Sequence, residues 1–297
     1  AILQAIGVLC TFVSPEPRSQ RILLNNSKDR LKLVNVFLIS ILTFILIYTL
    51  FPMMQFEDPL TKGVFTTLKL LLALSVMIII FMFSVRVNYV HNYVMLSTFW
   101  DPIKSFIQKY GSIAVAILVI IGLYRVADIV MGVVANLFYS DMGYTLNQIA
   151  TVSKFWGLIA TILGGLIGGV LASRYNNYSI LLLGAILAAA TNILFAFLTI
   201  LEPKVIYLMI IIVADNLSAG IASVAFVAFL SSLTHVNFTT SQYALFTSLM
   251  LFLPKIIGGY SGAMVDGLGY FNFFFLTAAM GLPVILLIVA FKNKMYR

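Results

Sequence analysis

The chain has 297 residues, 62% of them hydrophobic and 9% charged, with a formal net charge of +8. That composition excludes a large soluble core, because, apart from residues 86–112, loops of four to ten residues join consecutive apolar runs with no polar faces between them. The positive balance needs no nucleic-acid partner, because the basic residues do not cluster on one soluble face.

A helix crossing the hydrocarbon core needs about 20 apolar residues. Eight stretches reach that length: 34–54, 64–85, 113–138, 147–172, 178–200, 205–233, 242–265 and 271–291. The fold class is therefore all-α, a polytopic helical membrane protein. Its 24 Phe and 14 Tyr suit lipid-facing and interfacial positions.

In chain order, residues 1–13 (AILQAIGVLCTFV) are apolar but too short to cross, and lack the basic start of a signal peptide. They read as the end of an upstream transmembrane helix, with an earlier portion missing. Cys10 is the only cysteine, so neither a disulfide nor a cysteine metal site can form within the chain. Residues 14–33 form a basic linker. The spans of 34–85 are two additional helices, with Lys69 near enough to its span end to snorkel to the interface. Residues 86–112 are polar and aromatic and suit a helix lying in the membrane interface. Six spans then fill 113–291, and 292–297 form a basic tail. His91 and His235 fall in loops, where a solvated imidazole is expected rather than a ligand. No metal and no cofactor is expected.

The charges set the orientation. Arg18, Arg21, Lys28, Arg30 and Lys32 lie in the first linker, and Arg86, Lys104 and Lys109 in the interfacial segment. Arg174 lies between spans, and Lys292, Lys294 and Arg297 end the chain. Alternation through the spans puts all of these on one side, with only Lys62 and Lys204 opposite. By the positive-inside rule that side is cytoplasmic.

Lys69, Arg125, Lys154, Lys255, Asp128 and Asp215 remain within apolar spans. A charge at a helix centre costs about 2.5–3.5 kcal/mol, so Arg125 and Asp128 together cost roughly 5–7 kcal/mol. Fifteen Leu, Ile, Val and Phe in the same span return about 0.3–0.6 kcal/mol each. Such residues face a bundle interior or a wet cavity. Arg125 and Asp128, three apart, are placed on one helix face, and Tyr124 joins it. A packing lock is the bland alternative to a working site. Gly157, Gly164, Gly165, Gly168 and Gly169, with Gly258, Gly259 and Gly262, read as close-packing surfaces.

GGVLASRYNN, residues 168–177, falls in an expected cytoplasmic loop and resembles the signature loop of the major facilitator superfamily. Gly169, Leu171, Ala172 and Arg174 match it, while Ser173 stands where Asp is usual and Asn176 and Asn177 replace a glycine and a basic residue. The ordered series DPIKSFIQKYGS, LYRVADIVMG, SKFWGLIATILGGLIGG, ADNLSAGIASVAFVAFLSSL, TTSQYALFTSL and GGYSGAMVDGLGYFNFF resembles the carboxy-terminal half of AmpG-type muropeptide permeases. The SPEP linker and the two extra helices fit that group, and the resemblance runs from about residue 1 to 291.

The resemblance implies a major facilitator fold whose carboxy-terminal six-helix half follows two additional helices. It implies proton-driven import of muropeptides across the inner (plasma) membrane, with the missing amino-terminal half of the same transporter as partner. It supports Arg125, Lys154, Asn216, Gln242 and Lys255 as substrate-binding, with Tyr124 added by its place on the helix face, Asp128 and Asp215 as proton-coupling, and Gly169 and Arg174 as the conformational loop. The chemistry agrees. Fixed cations pair with muropeptide carboxylates, amides and hydroxyls bond to sugars, and a carboxylate held from water can take and release a proton. Related eukaryotic carriers move acetyl-CoA, so another substrate is an alternative, as is a non-transporting membrane sensor on the same fold. An intramembrane enzyme is set aside, because the spans offer no His and no metal-ligand cluster.

The charge parity makes a direct prediction. In a Cys10→Ser background, Ser140→Cys should react with an impermeant maleimide from outside and Ser241→Cys only from the cytoplasmic side. Labelling of both from outside would reject the arrangement.

Overall fold

The computed structural model describes residues 27–50, 58–87, 89–91, 93 and 96–295. The expected upstream helix end, Cys10, the linker with Arg18 and Arg21 as far as residue 26, and Arg297 of the tail lie outside them. The described residues form helices and turns, with no strand among them. Seven of these helices are long and apolar enough to cross a membrane. The chain is an all-α, multi-pass membrane protein.

Helices α1 (Ser27–Leu50) and α2 (Pro59–Arg86) pack together as a hairpin. α1 starts ahead of its apolar run, so Lys28 and Lys32 of the expected linker are helical. Asp58 caps α2, its carboxylate accepting from the Thr61 hydroxyl (2.6 Å) and backbone N–H (2.9 Å), which holds its carboxyl below the usual range. Lys69 is buried at 7% exposure, its ammonium 4.6 Å from the centre of the Tyr48 ring near the end of α1. A desolvated cation over an aromatic face gains more than one at the surface.

After a π-helical turn, Leu96–Trp100, comes α3 (Asp101–Tyr110). Its Phe106 is buried against Phe246, and Tyr110 donates to the Leu233 carbonyl, so the expected interfacial helix is pinned to the basic end of the bundle. The 113–138 span is broken: α4 (Ala114–Leu123) and α5 (Val126–Asp141) meet at Tyr124–Arg125. A short α6 (Leu146–Ala150) passes through a π-helical turn, Thr151–Trp156, into α7 (Gly157–Arg174). α8 (Asn177–Leu198) and α9 (Val205–Leu233) follow.

Two expectations are corrected here. Residues 168–174 are not loop but the last turns of α7, because Gly-Gly-Val-Leu-Ala-Ser contains nothing that ends a helix in apolar surroundings. The connection is Tyr175–Asn176, and Asn176 caps α8 by accepting from the Tyr178 N–H (2.9 Å). The 242–265 span is likewise not one helix. α10 (Thr239–Gly258) contains Pro254 and ends at a tight turn over Gly259 and Tyr260. It is also absent from the seven span-length apolar helices. α11 (Ser261–Met295) follows, and kinks at Gly269, whose φ of 74° and ψ of 161° lie where a side chain is strained.

α7 and α9 make the closest helix pair. A Cβ at Gly164 would run into the Leu217 carbonyl, one at Gly220 into the Thr161 carbonyl, and one at Gly168 would stand 3.1 Å from the Ile221 Cα. Small residues let backbones meet in lipid, where packing rather than water drives association. Gly169, one residue from this seam, faces open space. Gly164→Ala should therefore destabilise the chain by about 1–3 kcal/mol through overpacking. Gly169→Ala should stabilise it by roughly 0.5–1 kcal/mol through helix propensity. Thermal unfolding in detergent reads both, and equal effects of the two substitutions would contradict the seam.

Candidate functional site

Besides a small cluster at Val36 and Val90 at the hairpin, the buried side chains fall into two large apolar clusters. One, toward the basic end, gathers Ile117, Ile120, Tyr124, Leu181, Phe226 and Phe246. The other gathers Val130, Phe138, Phe195, Leu208 and Phe274. Between the segments that feed them lie Arg125, Asp128, Thr191, Asn192, Asp215, Ser218 and Ser223. Three helices, α5, α8 and α9, thus carry polar residues inside otherwise apolar lengths.

Arg125 occupies the break itself. Its φ of −99° and ψ of 4° are not helical, and it precedes the first turn of α5. Arg125 Nη1 donates to Ser223 Oγ on α9 (3.1 Å) and stands 3.6 Å from Asp128 Oδ2. The pair therefore joins a helix junction to the first turn beyond it, rather than two positions on one continuous face. Asp128 benefits twice. It has the guanidinium beside it, and it sits in the first turn of α5, where unpaired N–H groups and the helix dipole favour negative charge. The side chains remain 24% and 20% exposed, so the pair is packed but reachable. Asp215 accepts from Thr191 Oγ1 of α8 (3.0 Å) and lies close enough to Asp128 and Arg125 for their charges to interact. The structure therefore brings Arg125, Asp128 and Asp215 into one site.

Asn216, beside Asp215, turns to the glycine seam. It donates to the Ile212 carbonyl (2.9 Å) and accepts from Thr161 Oγ1 of α7 (3.0 Å), against Gly157. Lys154 is exposed on the π-helical turn before Gly157.

The other sequence-selected residues stand elsewhere. Tyr124 lies close enough to Asp128 and Arg125 for their charges to act on it, but its hydroxyl is engaged elsewhere. It is buried, stacks on Phe226 (centroids 4.7 Å apart, 8° between planes) and donates to the Leu181 carbonyl (3.2 Å). Gly184 leaves the room its hydroxyl occupies. Gln242 is 1% exposed with its amide fully engaged: Nε2 donates to the Pro102 carbonyl (2.8 Å) and Ser105 Oγ (3.0 Å), and Oε1 accepts from the His235 N–H (2.6 Å). It tethers α3 to the bundle. Lys255 lines a separate cavity between the hairpin and α10. Gly169 and Arg174 are exposed near and at the end of α7.

Four residues of the layer, Ser223, Thr191, Asn192 and Ser218, escape a reading that looks only for charges. Ser223 and Thr191 supply the hydrogen bonds to Arg125 and Asp215. Asn192 is 0% exposed, and neither side-chain polar atom bonds to a described residue. The signal available was the polar pair Thr191-Asn192 inside an apolar stretch. Among the described residues no cluster of His, Cys, Asp and Glu is arranged to hold a metal.

No family model matches the chain. It is similar to curated proteins named "Putative transporter AmpG". The AmpG 4 protein of Rickettsia conorii is 30% identical over 209 residues, 70% of this chain and 50% of that protein. The AmpG 1 protein of Rickettsia bellii is 36% identical over 195 residues, 65% of this chain and 48% of that protein. The AmpG 1 protein of Rickettsia prowazekii is 37% identical over 182 residues, 61% and 41%. This multi-pass membrane chain is thus AmpG-like in sequence over about two thirds of its length, and it spans about half the length of the curated relatives it matches.

Proposed function

We propose that this chain supplies the carboxy-terminal half of a secondary transporter that imports muropeptides across the inner membrane together with protons. The observation that carries the reading is the half-buried Arg125, held between Ser223 and Asp128 with Asp215 close by, in a polar layer between two apolar clusters. The similarity to AmpG proteins supports the transporter class and, more loosely, the substrate.

Asp128 balances Arg125 in the empty site. A substrate carboxylate then competes with Asp128 for the guanidinium, because a charge-assisted, two-pronged bond suits Arg and carboxylate geometry. Asp128, losing its partner, takes a proton. Asp215 is the second carboxylate in range, and the Thr191 hydroxyl orients it. Lys154 provides a second cation, and Asn216 couples the site to the α7–α9 seam, so occupation of the site bears on helix packing. Transporter sites of this kind lie near the bilayer midplane and use interrupted helices, with half-helix N-termini turned to anions. The break at Arg125 fits that pattern.

Uptake of labelled anhydro-muropeptide by the full-length transporter tests this. Asp128→Asn should abolish concentrative uptake, since one charge moved through 100 mV supplies about 2.3 kcal/mol. Arg125→Leu should lower both protein level and uptake, because it leaves a carboxylate unpaired. In the double variant Arg125→Leu, Asp128→Asn, protein level should recover while uptake stays lost. Recovery of uptake as well would make the pair a packing lock and refute the proposal.

A further inference from the structure

The Thr191–Asp215 bond is flanked by two polar side chains with no hydrogen-bond partner among the described residues. Asn192, next along α8, is 0% exposed, and Ser218, one turn along α9 from Asp215, is 3% exposed. Asn192 Oδ1 and Nδ2 and Ser218 Oγ are all unbonded and closed off from water. A buried amide in that position is costly, because it has given up water and gained nothing in exchange. Other asparagines of the chain avoid the cost. Asn216 and Asn272 each donate to the carbonyl four residues back, Ile212 (2.9 Å) and Leu268 (3.0 Å). The matching acceptor for Asn192 is the Ala188 carbonyl, and the Thr191 hydroxyl already stands against it at 3.1 Å.

Contacts between α8 and α11 show what lies opposite this amide. The Phe195 and Phe274 ring centroids are 5.6 Å apart, and a Cβ at Gly281 would stand 3.3 Å from the Ala189 methyl. The two segments therefore run antiparallel, and Asn192, between Ala189 and Phe195, is level with the middle of 274–281. Thr277 lies there, fully buried, three and four residues from Phe274 and Gly281 and so on their helix face. Its hydroxyl donates to the Phe274 carbonyl (2.9 Å), which leaves the oxygen lone pairs to accept. The contact of Gly281 with Ala189 is glycine on alanine, which offers little resistance to a short slide.

We infer that Asn192 is a conformational switch residue: stranded in this arrangement, its amide donates to Thr277 Oγ1 in a second arrangement, reached by a short shift of α8 along α11. The inference rests on the transporter reading above. A carrier passes between arrangements of similar free energy, and a ligand or proton tips the balance only when neither is locked. A stranded amide raises the arrangement described here and keeps the second within reach, which is one role an unsatisfied buried group can hold. Its position ties the switch to the site. Asn192 adjoins Thr191, so the shift that seats the amide also moves the hydroxyl bonded to Asp215. An internal water does not answer the amide instead, because neither of its polar atoms has surface open to water.

Asn192→Leu keeps the size of the side chain and removes the stranded atoms. In the detergent-purified 297-residue chain it should raise the melting temperature by about 2–6 °C. In the full-length transporter it should lower the maximum rate of anhydro-muropeptide uptake about tenfold, with KM held within about twofold. Thr277→Val removes the acceptor and should lower the rate similarly without raising the melting temperature. The two changes together should slow uptake no more than either alone, because both break one bond. A melting temperature unchanged or lowered in Asn192→Leu would show that the amide has a partner and overturn the inference, as would an unaltered rate. Should the leucine variant not fold, Thr277→Val decides, and an unaltered rate there overturns it equally. If the unaltered transporter moves no muropeptide, it is the functional reading that fails. Hydrogen exchange then reads the switch without substrate: Asn192→Leu should slow exchange in α8 and α11 about tenfold, and equal rates would overturn the switch.

Discussion

A charge in a low-dielectric interior is tolerable only when its field is answered close by, and the middle of this bundle is organised by that constraint. Arg125 meets Ser223 and Asp128, and Asp215 meets Thr191. These partners come from α5, α8 and α9, so the three helices must be in register for the layer to be satisfied. The apolar clusters on either side do not need such register, because dispersion between leucines and phenylalanines is non-directional. The polar layer is thus the part of the core that specifies one arrangement, and the clusters supply most of the burial around it.

The layer is also joined to the tightest packing in the chain. Asn216 is one residue from Asp215 and sits against Gly157, while Thr161 bonds to Asn216 and its carbonyl crowds Gly220. A shift of α7 along α9 would break these hydrogen bonds and press Gly164 against the Leu217 carbonyl. A seam built from glycine has two consequences: close backbones, and little freedom for small adjustments. Asn216 belongs to that seam and stands one residue along α9 from the charge layer.

Breaks in the helices follow a matching logic. Within hydrocarbon, each backbone group freed by a kink must find another partner. At Gly259–Tyr260 the turn tightens, with the Gly259 N–H bonding to the Lys255 and Ile256 carbonyls, and the fully buried Ser261 donates to the Val130 carbonyl on α5. At Tyr124–Arg125 the break coincides with the charge pair, so the unpaired N–H groups that begin α5 lie beside Asp128. The Gly269 kink uses a backbone conformation that glycine adopts without strain. The hairpin α1–α2 lies outside this scheme and is held by its own buried cation, Lys69 over Tyr48, and by the Thr67–Tyr260 contact.

The sequence by itself determined the class and the outline. Hydrophobic length alone marks membrane helices, because lipid has no water to satisfy a polar face, and a charge inside such a length marks a candidate site, because it is too costly to place at random. Arg125, Asp128 and Asp215 were legible for that reason, as was the close packing of Gly164 and Gly168. Only the tertiary structure decided which polar residues converge. Gln242, Tyr124 and Lys255 satisfy the same rule of polarity at depth, yet the first tethers α3, the second stacks on Phe226, and the third lines the hairpin cavity. Ser223 carries no charge and gave no signal of its own, and Thr191 stood out only as half of the polar pair Thr191-Asn192. Helix breaks were equally hidden: apolar composition continues through Tyr124–Arg125 and Gly259–Tyr260, and what interrupts the helix there is hydrogen bonding and packing between segments distant in the chain.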